Sequence, residues 1–283
     1  MMKKNPIIAL VGPGVMGEAI IAGLLRNGLA EPENIRAAGP IVERGEELKT
    51  LYGVPPYYDN KEAVKGAEVV ILSIKPQTLD KVLKDLHGAI PPDALVLSIV
   101  AGAPIAVIQQ GLAHQNVVRA MPNTPAQIGK GITVWTAAEG VSAGQIERAR
   151  MILEALGEEV FEEEERFLDM ATALSGSGPA YAFLFMEAMI DAGVHLGFQR
   201  RTAEKLVIGT LRGSVEYYDL KKDHPAKLRN DVTSPAGTSA AALYYLEKAG
   251  FRTAISRAIW AAYERSQALG RGRHSQPPDK NGD

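Results

Sequence analysis

The 283-residue chain contains no cysteine, which excludes disulfides, thiolate nucleophiles and cysteine-ligated metals together. It also lacks a charge bias: 31 basic against 33 acidic residues leave a formal net charge of −2. The basic residues are dispersed, so no electrostatic footprint points to nucleic acid or an anionic membrane. No run reaches the about 18 uninterrupted apolar residues that a membrane-spanning helix needs. Lys3 and Lys4 ahead of the apolar residues 6–11 resemble the start of a signal peptide, but Gly12, Pro13 and Gly14 interrupt the run and Glu18 follows. A soluble, cytoplasmic protein is therefore expected. The histidines His87, His114, His195, His224 and His274 show no spacing that suggests a dyad or a metal site, so no metal is expected.

What is present is an ordinary globular composition, 46% hydrophobic and 23% charged, in a chain long enough for one or two domains. Short β-rich runs at residues 7–11, 35–38, 68–74, 94–100, 117–121 and 132–135 alternate with helical patterns at 16–27, 42–52, 78–86, 105–111 and 142–156. This alternation predicts an α/β doubly wound parallel sheet over residues 1–163, with residues 94–100 as a central strand buried on both faces. After the acidic residues 162–165 the pattern is helical almost throughout, at 167–174, 180–196, 202–220, 238–249 and 252–269. An all-α second domain is expected over residues 164–269, with a disordered polar tail at 270–283. The 180–196 helix carries Tyr181, Phe183, Leu184, Phe185, Met186, Met189 and Ile190 around most of its circumference, so it must be buried on nearly all sides. So many aromatics also point to burial against a second subunit, at least a dimer. Glu187 and Asp191, at i and i+4, read as its one wet stripe.

Two segments carry chemistry. Gly12, Gly14 and Gly17, with Val15 and Met16 between them, follow the first strand and open a helix, the context that a dinucleotide fingerprint requires. Gly12 permits the tight turn, Gly14 lets a pyrophosphate approach the backbone, and Gly17 lets helix and strand pack closely, so the first domain is Rossmann-type. The acidic residue expected about 20 positions on is missing, and Ala37, Ala38, Gly39 and Pro40 stand there instead. Arg36 and Arg44 are the nearest cations, and the choice between NADH and NADPH stays open. Other strand ends converge on the same crevice, adding Asn60, Ile74, Lys75, Pro76, Ala101, Gly102 and Asn123, the last held with Thr124 in a loop stiffened by two prolines. The second segment, residues 231–242, is a run of small and hydroxyl-bearing residues between helical stretches. Pro235 breaks any incoming helix, so Gly237, Thr238 and Ser239 can present backbone amides at a new helix start, where a carboxylate is attracted. The alternative is an ordinary N-cap.

Residues 12–17, 121–125, 175–183 and 231–242 together closely resemble pyrroline-5-carboxylate reductase, and the resemblance spans about residues 7–268. It implies reduction of the cyclic imine 1-pyrroline-5-carboxylate to L-proline with NADPH or NADH, the last step of proline biosynthesis. It further implies a helical domain that dimerises and often builds a pentamer of dimers, and no metal. Asn60, Ala101 and the glycine loop become cofactor contacts. Ser239 becomes the hydroxyl that bonds the substrate ring nitrogen, with Ser234, Gly237 and Thr238 holding the substrate carboxylate. The chain departs from the family where Ala236 replaces a glycine and Ser239 a threonine, and Ala236 constrains the turn if its backbone needs positive φ. Residues 38–40 also lack the arginine of NADPH-preferring members. The nearest enzymatic rival, a β-hydroxyacid dehydrogenase, needs a lysine and an asparagine early on the first long helix of its second domain, and residues 175–189 contain neither. A non-catalytic NAD(P)-binding scaffold is the rival from another class.

Overall fold

Alternation of apolar side chains along short strands sets the architecture of the first part of the chain. The computed structural model describes residues 6–270. The expected tail beyond Gly270 and the signal-like Lys3 and Lys4 lie outside the described residues.

Strands β1 (Ile8–Val11), β4 (Val69–Leu72) and β5 (Leu95–Ser98) are buried at every position. Ile8, Leu10, Val69, Ile71, Leu95 and Leu97 point into one core, and Ala9, Val11, Val70, Leu72 and Val96 into another on the opposite face. The first core is closed by α1 (Val15–Arg26), α2 (Val42–Tyr52) and α6 (Ala143–Glu154). The second is closed by α3 (Asn60–Val64), α4 (Leu79–Leu86) and α5 (Ile105–Leu112). With β2 (Ile35–Ala38), β3 (Pro56–Tyr57), β6 (Val117–Met121), β7 (Gly131–Ala137) and β8 (Gly157–Phe161), the sheet runs in the order β3-β2-β1-β4-β5-β6-β7-β8. The strand order reverses at β1 and β4, which places a crevice at their carboxyl ends.

The expected doubly wound, largely parallel sheet is present, with three differences. β7 runs antiparallel to β6. The link between them, residues 122–130, is shorter than the about a dozen residues that a parallel crossover takes, so the chain can only turn back. β8 returns parallel to β7 although residues 157–161 were not expected as a strand. It reads Gly-Glu-Glu-Val-Phe at the edge of the sheet, with Glu158 exposed, where a charge discourages further pairing, and Glu159 turned in to accept from the Trp135 indole. β3 was also missed: it is two residues long and begins with a proline, which only an edge accepts.

The helical part comprises α7 (Phe167–Ala171), a π-helical turn at Thr172–Gly176, then α8 (Gly178–His195), α9 (Arg200–Lys221), α10 (Pro225–Asp231), α11 (Thr238–Lys248) and α12 (Phe251–Gly270). The chain divides into two units, one running through Ser177 and resuming from Ala261, the other Gly178–Trp260. In the second unit α8 and α9 approach closely where a Cβ on Gly193 would lie 3.0 Å from that of Ala203. Yet α8 has no buried residue, and Phe183 and Leu184 are 58% and 66% exposed. The expectation that this helix is buried on nearly all sides is therefore not met within one chain. Asp191 pairs with Arg200 at 2.7 Å with both side chains exposed. Among the described residues no helix is long and apolar enough to cross a membrane, and no cluster of side chains could hold a metal ion.

Candidate functional site

β1 delivers the chain into a turn that only glycine can make. Gly12 sits at φ +90°, its amide donates to the Ala38 carbonyl at 2.9 Å, and a Cβ there would lie 2.5 Å from Ile74 Cγ2. Gly17 is closed in the same way, since a Cβ would meet the Gly12 carbonyl oxygen at 2.8 Å and Leu10 at 2.9 Å. Gly14 is different: nothing stands within 4 Å of where its Cβ would be. It is also the N-cap of α1 and makes no side-chain capping bond, so the first amides of that helix, at Val15 and Met16, face an open space. An open, uncapped helix start of this kind fits a pyrophosphate.

The neighbouring strand ends are less uniform. Ala38 is fully buried, and a Cβ on Gly39 would lie 2.8 Å from Pro13 Cδ, so neither offers a side chain. Asn60 opens α3 and donates to Asp85 Oδ2 at 2.9 Å, which fixes its amide plane. Lys75 is exposed ahead of the single turn Pro76–Thr78. Ala101 is partly buried, while Gly102, at φ +68°, is backed by α12: a Cβ would lie 2.8 Å from the Ser266 carbonyl oxygen. Asn123 does not aim its side chain at the crevice. Its Nδ2 donates to the Ser175 carbonyl at 3.2 Å and its Oδ1 accepts from the Ile132 amide at 3.0 Å. It ties the β6–β7 loop to the π-helical turn, which binds itself through the Ser177 amide donating to Thr172 O at 2.8 Å.

One buried ion-pair cluster was missed at the sequence level. Arg119, in the middle of β6 and only 5% exposed, donates to Glu165 at 2.9 Å and to Asp169 at 2.8 Å. Glu165 also accepts from the Ile105 amide at 2.8 Å, and Asp169 from the Ser266 hydroxyl at 2.9 Å. The network fixes β6 against α5, α7 and the end of α12. Its signal was available, since an arginine inside an otherwise apolar strand must find partners.

In the other unit, Lys227 bridges Asp223 at 2.9 Å and Asp231 at 3.0 Å, and these two carboxylates hold its pKa well above the usual lysine range. The chain then leaves α10 through Ser234-Pro235-Ala236-Gly237, where the Gly237 amide donates to the Ser234 carbonyl at 3.1 Å. Proline at the second place and φ +60° at Ala236 identify a turn of type II, whose third place favours glycine. A Cβ on Gly237 would lie 2.4 Å from Ser234 Oγ, so any larger residue there must turn that hydroxyl away. Gly237 is the N-cap of α11 and has no side-chain capping bond. The amides of Thr238 and Ser239 therefore stand beside their own hydroxyls at an uncapped helix start, an arrangement able to hold a carboxylate and a second polar group.

Comparison with known proteins gives consistent findings. A family described as pyrroline-5-carboxylate reductase dimerisation matches residues 165–269, and one described as coenzyme F420-dependent NADP oxidoreductase matches residues 7–102. The chain is 43% identical to a pyrroline-5-carboxylate reductase of Synechocystis sp. over 264 residues, 93% of this chain and 98% of that protein. It is 40% identical to one from Corynebacterium melassecola over 268 residues, again 93% of this chain and 98% of the relative. Among solved structures, the pyrroline carboxylate reductase of Plasmodium falciparum with NADP bound superposes with a TM-score of 0.87 at 31% identity, covering 95% of this chain and 100% of that one.

Proposed function

Because this chain belongs to the pyrroline-5-carboxylate reductase family, we propose that it reduces 1-pyrroline-5-carboxylate to L-proline with NAD(P)H, and that residues of the two uncapped helix starts carry the reaction. The observation that carries the reading is the α11 start, where a turn, two hydroxyls and uncapped amides follow one another between Ser234 and Ser239.

On the cofactor side, Gly12 and Gly17 shape the turn, and Gly14 with the amides of Val15 and Met16 receives the pyrophosphate. Ile74, Lys75, Pro76, Ala101 and Gly102 border the nicotinamide half, Ala38 and Gly39 the adenosine half, and Asn60 and Asn123 brace the walls. The bound coenzyme supplies the hydride. The chain supplies orientation, which can account for much of the rate because a protonated imine is already electrophilic. Ser234, Gly237 and Thr238 hold the substrate carboxylate against the α11 amides, and the Ser239 hydroxyl accepts from the ring N–H and holds the imine plane. A pentamer of dimers is the finer form of this reading and rests on the family resemblance, and a cytoplasmic setting rests on the absence of cysteine.

Ser239→Ala tests the assignment. One neutral hydrogen bond contributes about 0.5–1.5 kcal/mol, so steady-state turnover should slow about tenfold without vanishing. Unchanged kinetics would remove Ser239 from the mechanism.

A further inference from the structure

The end of β2 is where a dinucleotide site tells NADH from NADPH, because the adenosine ribose lies there with either a 2′-hydroxyl or a 2′-phosphate. In this chain that rim offers a phosphate almost nothing. Ala38 is fully buried, Gly39 has no room for a side chain, and Pro40 brings no amide hydrogen. Next come Ile41 and Val42, 60% and 52% exposed and purely apolar.

Both cations close in sequence are committed elsewhere. Arg36 turns to the end of α3, donating through Nη1 to the carbonyls of Ala63 at 3.1 Å and Lys65 at 2.7 Å. Arg44 uses all three edges of its guanidinium: Nε donates to the Pro13 carbonyl at 2.8 Å, Nη1 to Glu47 at 2.6 Å, and Nη2 to Glu18. Tyr52 steadies Glu18 by donating to its other oxygen at 2.8 Å. The hydrogen bond from Arg44 holds the Glu18 carboxyl below its usual pKa, so this pair is charged at neutral pH. The feature that would favour phosphate is the start of α2, which has no side-chain cap, but Glu43 in that first turn already answers the helix dipole with a negative charge.

We propose that this reductase selects NADH over NADPH, and that Glu18 sets the preference by keeping Arg44 out of reach of the coenzyme's 2′ position. A 2′-phosphate, with a charge of about −1.5 to −2, would meet two apolar side chains and a carboxylate, whereas a 2′-hydroxyl meets no such repulsion. Glu18 acts here through Arg44 and is a positioning residue.

The test is equilibrium titration of the apo-protein with NADH and with NADPH, followed by coenzyme fluorescence. NADH should bind about five-fold tighter or more at low ionic strength, and the gap should narrow as salt screens the carboxylates. Glu18→Gln should narrow the ratio by loosening Arg44. Glu43→Lys, on an exposed helix surface where misfolding is not a concern, should narrow or reverse it. NADPH binding as tightly as NADH to the unaltered protein overturns the preference, and a ratio unmoved in a folded Glu18→Gln variant overturns the role of Glu18. Binding of neither coenzyme would refute the dinucleotide site itself, and the preference with it.

Discussion

Ala236 shows how one residue carries a conflict between backbone and side chain. Its φ of +60° belongs to the region where an L-residue is crowded by its own Cβ, at a cost of about 1–2 kcal/mol, yet the turn between Ser234 and Gly237 requires it. Ala236→Gly should relieve that crowding and lose part of the gain to chain entropy. The expected outcome is a rise of about 0.5–1 kcal/mol in unfolding free energy, read from urea midpoints, and a fall would contradict the strained turn. This conflict was legible beforehand from the family resemblance, because Ala236 stands where that motif has a glycine. The roles of Asn123 and Arg119 were not. Asn123 was expected to face the crevice, but whether an amide points into a cleft or clamps a carbonyl depends on the π-helical turn near Ser175, more than fifty positions away in sequence. Arg119 needed Glu165 and Asp169 from beyond the sheet to explain it.

Among elements, those with strong periodicity and clear ends were readable. β1, β4 and β5 are continuous apolar runs, α2 spans Val42–Tyr52 as expected, and α11 begins at Thr238 after the proline turn. The elements that escaped lack such a signal. β8 has two glutamates among five residues, and α10 and α3 are too short for a helical stripe to emerge. β8 is nonetheless built into the sheet through Gly157, which sits at φ +137° with its Cβ position 2.1 Å from the Gly131 carbonyl oxygen. Gly157→Ala must push β8 off β7 or distort both. A loss of about 3 kcal/mol is expected in chemical unfolding, and a neutral result would show that the β7–β8 edge is not close-paired in solution.

At the scale of the molecule, the second unit is the part with the least buried apolar surface. Among the described residues of Gly178–Trp260 only Ala203 and Val207 are buried, while Phe183, Leu196, Val215 and Tyr245 are 58%, 82%, 62% and 70% exposed. Burying each such side chain contributes about 1.5–3 kcal/mol, so this unit leaves a large apolar surface for another chain to cover. The match of residues 165–269 to a dimerisation domain agrees. The thermal midpoint should therefore rise with protein concentration, and light scattering should give a mass of at least two chains; a monomer with a concentration-independent midpoint would contradict it. The helix at residues 180–196 was recognised as too apolar for one chain's surface, and what the sequence alone left open was which surface covers it.

As a member of its family, this chain transfers hydride from NAD(P)H to a cyclic imine carboxylate. The most direct measurement follows coenzyme oxidation with 1-pyrroline-5-carboxylate, using NADH and NADPH in turn, beside a 3-hydroxyacid run in the oxidative direction. Imine-dependent oxidation with formation of L-proline is expected, with no turnover of the hydroxyacid. Absence of oxidation with both coenzymes, under conditions where they bind, would contradict that transfer.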